Sequence, residues 1–448
     1  MYNKNKHTSV FIFMLCVIKI KTKQNSKSQN IMTKKTIFLL VFLITSIIIN
    51  AQNTVIKAGH FFDARNGKIL ENQIIIVQNG KIKEVGTNLN YDKTDSIIDL
   101  SNSWVLPGLM DCHVHITSNY PHRNVQMEKK FVGESTSLRA IRGTVVAKEF
   151  LDNGFTTIKE IGNDANYATA DIIKAINKGW VQGPTIIYAG KIIAPYGGQS
   201  SGVNPEHEHF WNFEYIDADT PDEIKKAVRK NIYYGATVIK LVSEDNGIYN
   251  EEDIKAAVDE AKKYDIKVTV HVQGGIAATN VISGGAAGIE HGFGLSNEQL
   301  QLMKEKGIFL VGTDFSYDNW YAYGMDSETA TALNNMLIDR LKRAYKIGTP
   351  MAFGTDIIVN LPELNRVQSS LKVLETWKAA EIPASYILQT MTIKSAELLG
   401  IDNERGILEP NYYADIIAVE NNPLKDIEAI KTVYFVMKEG EIIRNDKK

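Results

Sequence analysis

Cysteine is nearly absent from this chain: two residues, Cys16 and Cys112, in 448. One lies in the N-terminal leader and the other beside a pair of histidines, so no disulfide framework is available. Acidic residues are missing altogether from 1–51, which carry eight lysines. Removing those eight charges from the overall -2 leaves the other 397 residues at -10. A body that acidic, with no basic stripe, argues against nucleic acid as a partner. No internal repeat and no low-complexity tract interrupts the chain. Histidine is scarce as well, nine in all, which makes its placement informative. At 44% hydrophobic and 23% charged, the rest is ordinary globular composition, sufficient for a large core and one or two domains.

The first residues read as a targeting segment. Lys34-Lys35 precede an almost unbroken apolar stretch from Thr36 to Asn50, and Ala51-Gln52 offers a small residue for cleavage. That is a charged region, an apolar region too short to span a bilayer comfortably, and a cleavage site. The expectation is an exported protein, periplasmic or secreted, cleaved after Ala51 and left without a membrane span. Residues 1–31 read as an extension upstream of Met32. An uncleaved anchor is the alternative, because Ile49 is less usual than Ala at its place before the cut.

Four segments follow: the leader 1–51, a β-rich part over 52–106, a long middle over 107–400 and a second β-rich part over 401–448. Val55–His60, Gln73–Val77 and Lys81–Val85 read as strands, with Asn79-Gly80 as a hairpin signal. Ala414–Val419, Thr432–Met437 and Glu441–Ile443 look alike, so both chain ends are expected to build one small β-sandwich domain. The middle alternates strands with helices. Candidate strands are Leu109–His115, Thr156–Ile161, Thr185–Ile193, Thr237–Val242, Lys267–Val272, Gly288–His291, Ile308–Gly312 and Pro350–Thr355. Pro221–Tyr234, Glu251–Tyr264 and Asn297–Lys306 read as amphipathic helices with acidic residues near their starts. Eight strand–helix units in about 290 residues match an α/β (β/α)8 TIM barrel. Strands that are apolar throughout suit burial on both faces.

Chemistry-bearing residues fall where this fold places its sites, at the carboxyl ends of strands. His113 and His115 end the first strand and, two apart, share one face. Lys240 sits inside the apolar run of the fourth, where a charged amine is costly unless paired or neutralised. His271, His291 and Asp356 end the fifth, sixth and eighth. Imidazole nitrogens suit zinc.

These residues sit in motifs: Pro107-Gly108-Leu109-Met110-Asp111-Cys112-His113-Val114-His115, Gly154-Phe155-Thr156-Thr157, Gly235-Ala236-Thr237-Val238-Ile239-Lys240, Ile289-Glu290-His291-Gly292, Gly354-Thr355-Asp356 and Gly406–Asp415. As a set they resemble the amidohydrolase superfamily, in the branch with imidazolonepropionase-like proteins and Xaa-Pro or Xaa-Arg dipeptidases. The likeness covers about residues 53–440. It implies two divalent metal ions, zinc being the expected one. His113 and His115 would hold the first, and His271 and His291 the second. Lys240, N-carboxylated by carbon dioxide, would bridge them. Asp356 would bind the first metal and move protons as general base and acid. Two cations would lower the pKa of a water between them, so that hydroxide is available at neutral pH. The implied reaction is hydrolysis of a C–N amide bond in a small substrate, a dipeptide or an N-acyl amino acid. A cyclic amide is the rival substrate, and a metal-free binding protein on the same scaffold is the rival outside enzymes.

The chain departs from that family in places. Asn411 stands where glycine is usual, and Asn also tolerates positive φ. Pro195-Tyr196-Gly197-Gly198-Gln199-Ser200 replaces a Gly-Gly-His loop that usually faces substrate. Lys240, absent from imidazolonepropionase itself, points to the two-metal side of the branch. Tyr196, Gln199, Gln273 and Tyr317 are the candidate substrate contacts. The aromatic segment Asp314–Tyr323 reads as a lid, a packed loop or a dimer contact, which leaves a homo-oligomer open. His207 and His209 resemble a further metal site on a long loop. Cys112 reads as a small apolar filler rather than a nucleophile, and His60 and His122 carry no assigned role.

Overall fold

The apolar run before His113 does continue as strand, and the barrel is built outward from it. The computed structural model describes residues 53–447 apart from 127–132, 163–164, 200–203 and 245–246. The leader and its cleavage site lie outside the described residues. Among the described residues, no helix is long and apolar enough to cross a membrane.

Four strands come first: β1 Thr54–Asp63, β2 Lys68–Gln78, β3 Lys81–Gly86 and β4 Ser96–Pro107. Barrel strands follow as β5 Leu109–Val114, β6 Phe155–Glu160, β7 Thr185–Tyr188, β8 Ile192–Ala194, β9 Tyr215–Asp217, β10 Val238–Val242, β11 Lys267–Gly274, β12 Gly288–Gly294 and β13 Phe309–Val311. The chain returns to the first sheet with β14 Ile416–Val419, β15 Phe435–Lys438 and β16 Glu441–Asn445.

Both chain ends do build one β domain. Its seven strands run in the order β16-β15-β14-β4-β1-β2-β3. Asn79 and Gly80 both have positive φ between β2 and β3, as the two-residue hairpin requires. Glu439 and Gly440 repeat the pattern between β15 and β16. The two turns abut: a Cβ on Gly80 would meet the Glu439 carbonyl at 2.8 Å. Outer strands of one sheet thus fold towards each other and enclose Ile56, Ile75, Val105, Ile416, Phe435 and Met437.

Parallel pairing runs β5-β6-β7 and β13-β12-β11-β10-β8-β9. Tyr188 O accepts from Thr237 N at 2.7 Å and joins the two sheets. The third strand, expected to run unbroken over Thr185–Ile193, is interrupted at Gly190 (φ +73). There Asn231, from the helix Pro221–Tyr233, takes the place of a neighbouring strand. Its Oδ1 accepts from Lys191 N at 3.2 Å and its Nδ2 donates to Lys191 O at 2.7 Å.

Pro350–Thr355, expected as the eighth strand, makes only the isolated bridge Leu310–Met351. Two of its later donors go elsewhere: Phe353 N to Thr390 O at 3.1 Å and Thr355 N to the Asp111 carboxylate at 3.1 Å. The segment still closes the barrel. Phe353 O accepts from Cys112 N at 2.7 Å, and Leu310 O accepts from Ala352 N at 3.0 Å. Gly354 is required here, because a Cβ would come within 2.4 Å of Val311 and 2.9 Å of His113 Cβ.

Candidate metal centre

Three strand ends leave regular geometry where they meet. His291 (φ +67), Thr313 (φ +44) and Asp356 (φ +53) all take left-handed backbone. Such strain in non-glycine residues concentrates at functional sites. It turns His291 and Asp356 inward beside His113, so that one ligand atom from each of the three lies within 4.8 Å of the others. His115 joins them, its Nε2 3.2 Å from Asp356 Oδ1. His271 packs edge-on against His291, ring centroids 4.4 Å apart.

The histidines are oriented as a cation would need. His113 Nδ1 donates to Glu290 Oε2 at 2.7 Å, and His115 Nδ1 donates to Gly162 O at 2.7 Å. Carboxylates and carbonyls only accept, so each Nδ1 carries the proton and each Nε2 offers a lone pair. His291 Nδ1 lies 2.8 Å from Thr313 Oγ1. Burial, helped by the Lys240 charge, lowers His113 to about 4 and His271 to about 3, and His291 falls well below its ordinary value. Neutral imidazoles with outward Nε2 atoms fit a divalent metal.

Lys240 is 2% exposed in β10, and among the described residues no carboxylate lies within salt-bridge distance of it. Burial lowers its amine to about 8. Asp356 is the more open group, its side chain 19% exposed.

The pattern of the amidohydrolase family matches residues 104–443. The chain belongs to that family. Ochratoxinase of Aspergillus niger is 28% identical over 436 residues, spanning 88% of this chain and 87% of its own. Imidazolonepropionase of Thermoanaerobacter pseudethanolicus is 22% identical over 390 residues, spanning 80% and 86%. A solved Xaa-Pro dipeptidase with methionine bound in its active site matches with TM-score 0.77 at 28% identity, over 88% of this chain and 100% of that one. The chain is therefore a metal-dependent hydrolase of the amidohydrolase type on a TIM barrel with an attached β domain.

Of the four candidate substrate contacts in this amidohydrolase, the structure brings Gln199 to the centre. Its Nε2 lies 3.4 Å from both ring nitrogens of His271, and its Oε1 accepts from Tyr215 OH at 3.4 Å. β11 continues through Gln273, whose Oε1 is buried with no hydrogen-bond partner among the described residues. Tyr196 makes its contacts elsewhere. It is 56% exposed, donates to Glu208 at 2.8 Å and packs against Trp211. Tyr317 donates to Ser327 Oγ at 3.0 Å and stacks on Tyr321. His207 and His209 lie exposed on the 3-10 helix Pro205–Phe213, their rings against Phe210. Cys112 is a filler as expected: it packs on Val311, Ala352 and Leu398, and burial pushes its thiol up to about 12.

Sequence reasoning left out the residues behind the ligands. Asp111 accepts from His113 N at 3.0 Å and from Thr355 Oγ1 at 2.7 Å, tying the first strand to the eighth segment. Arg366 donates to Ser118 O at 2.8 Å and to the side chains of Asn119 and Asn360 at 3.0 Å, joining the loops that follow those two elements. Glu290, the residue before His291, also accepts from Thr269 Oγ1 and from Lys159 Nζ, the latter at 2.6 Å. Its place in the Ile289-Glu290-His291-Gly292 motif was the available signal. Burial opposes its charge, but Lys159 and His113 hold its carboxyl well below the ordinary range.

A consequence is testable by unfolding. Glu290→Gln leaves the Lys159 ammonium buried without a counter-charge, at a cost of about 3–5 kcal/mol. Urea titrations should show that loss, and Lys159→Met in the same chain should recover much of it. If Glu290→Gln alone unfolds at the wild-type midpoint, the pair is not structural.

Proposed function

We propose that this amidohydrolase cleaves the C–N amide bond of a small substrate, a dipeptide or an N-acyl amino acid, with two divalent cations. The observation that carries the reading is the convergence of four imidazoles and one carboxylate beside a buried lysine that lacks an ionic partner among the described residues. His113, His115 and Asp356 would hold one cation, and His271 and His291 the other, with Lys240 bridging as its carbamate. Carboxylation answers the cost of a buried ammonium by making it an anionic oxygen ligand. Zinc suits the nitrogen-rich set. The bound cations would supply Lewis acidity and a water of lowered pKa.

Around them the chain's own groups divide the work. Asp356, held 3.2–3.4 Å from the Nε2 atoms of His115 and His113, accepts the proton of the attacking water. It returns that proton to the leaving nitrogen, which would otherwise depart as a poor anion. Gln199, above His271, offers an amide N–H to a substrate oxygen. Gln273 Oε1 offers an acceptor to a substrate N–H. The 28% identity to the Xaa-Pro dipeptidase supports a dipeptide substrate. Export with cleavage after Ala51 belongs to the same reading, supported by Lys34-Lys35 and the apolar stretch after them.

The mature chain, residues 52–448, should carry about two metal ions and hydrolyse members of a dipeptide and N-acyl amino acid library, losing activity to a chelator and regaining it with zinc. Hydrolysis of cyclic amides alone would replace the substrate class. A chain that binds no metal and cleaves nothing would replace the enzyme with a binding protein.

A further inference from the structure

The carboxylate of Asp356 acts only if it points at the centre, yet its backbone sits in the left-handed region that L residues avoid. The turn that carries it is clamped from three sides. Asp356 N donates to His113 O at 2.8 Å. Asp356 O accepts from Tyr323 OH at 2.8 Å, and the same phenol oxygen accepts from Ile358 N at 3.2 Å. Ile358 O in turn accepts from Tyr120 N at 2.9 Å. One hydroxyl therefore closes the turn 356–358, using its proton on one side and a lone pair on the other.

Tyr323 is well placed to hold a fixed position. It caps the helix Tyr317–Ala322, its N donates to Asn319 O at 3.0 Å, and its ring packs on Phe315 at 5.0 Å. Phe315, Leu337 and Ile357 form the core against which Phe293, Trp320 and Tyr323 pack. Asp314 at the segment's start is locked to Arg340 inside the protein. The aromatic segment after β13 is thus a packed wall, and the Tyr323 hydroxyl reaches from it to the backbone of the turn that carries Asp356.

We propose that Tyr323 is the positioning residue for Asp356: its hydroxyl fixes the turn and through it the direction of the carboxylate. The proposal rests on Asp356 being the proton-transferring group. Tyr323→Phe keeps the ring and removes both hydrogen bonds. In the full chain loaded with cobalt, metal stoichiometry and KM for N-acetyl-L-methionine or leucyl-proline should stay within about twofold of wild type. Turnover should fall by roughly 10- to 100-fold, the scale seen when a supporting residue is lost. The visible absorption band of the cobalt protein should shift, because a reoriented Asp356 changes the ligand field. That reading needs no turnover.

Combining Tyr323→Phe with Asp356→Asn should give turnover no lower than Asp356→Asn alone, since Tyr323 acts through Asp356. Additive losses in the double variant would overturn the proposal in favour of a general structural role, and so would a Tyr323→Phe chain that fails to fold. Wild-type turnover and an unshifted band in Tyr323→Phe, with Asp356→Asn inactive, would overturn it and spare the Asp356 reading. Full activity in Asp356→Asn would remove both.

Discussion

Asp356→Asn is expected to lower turnover by roughly 10²- to 10⁴-fold while the fold survives, the usual contribution of a positioned acid–base group. Asparagine tolerates the left-handed backbone of this position about as well as aspartate does. It keeps the backbone donation to His113 O and the acceptance from Tyr323. It also keeps an oxygen near His113 and His115. What it loses is the capacity to take a proton and give it back. Bound metal will fall to some extent, since Asp356 is one of the proposed ligands, so rates must be expressed per metal-loaded chain. The acidic limb of the pH profile should vanish with the carboxylate. A metal-loaded Asp356→Asn protein with near-normal turnover and an unaltered pH profile would transfer the proton-moving role to another group.

Lys240→Ala should have the second large effect, on metal rather than on folding. Loss of a bridging ligand should cost more metal affinity than the roughly 10- to 100-fold that a supporting residue costs. Stability of the metal-free chain should move in the other direction. The substitution removes a buried ammonium that has no ionic partner among the described residues, and desolvating such a charge is unfavourable. The small cavity left behind offsets part of that gain. Metal analysis should therefore show loss of bound ions while the apo protein melts at or above the wild-type temperature. Small carboxylic acids, added to occupy the vacated place, should recover part of the metal and activity. If Lys240→Ala keeps two ions and full turnover, Lys240 is no bridge and its burial serves another purpose.

Packing couples these two sites to residues remote in sequence. Glu290 touches His113 from a position 177 residues away and Lys159 from 131 away. Lys159 and Glu290 also act electrostatically on Lys240, with opposite sign. The negative charge that Lys240 lacks as a direct partner is committed to Lys159 and His113 instead. Substitutions at Glu290 should for that reason disturb metal binding as well as folding, and double-variant cycles with Lys240 should be non-additive.

Periodicity in the sequence determined which residues end each strand and which face they take. A side chain at i and i+2 of a strand shares a face whatever the rest of the molecule does. His113 with His115, Lys240 within β10, and His271 with Gln273 were legible on that ground alone. The apolar runs determined that these strands would be buried on both sides, and hence parallel and barrel-forming. Tertiary structure decided what a linear pattern does not contain: which strand ends meet when the sheet closes. Closure brought Gln199 onto His271 and left Tyr196 with Glu208. It drew two of the eighth segment's donors away from a ladder and onto Asp111 and Thr390. It also set Tyr323 beneath Asp356 and Glu290 between Lys159 and His113. These contacts depend on the curvature that carries separate strands to one axis, and local periodicity holds no record of it.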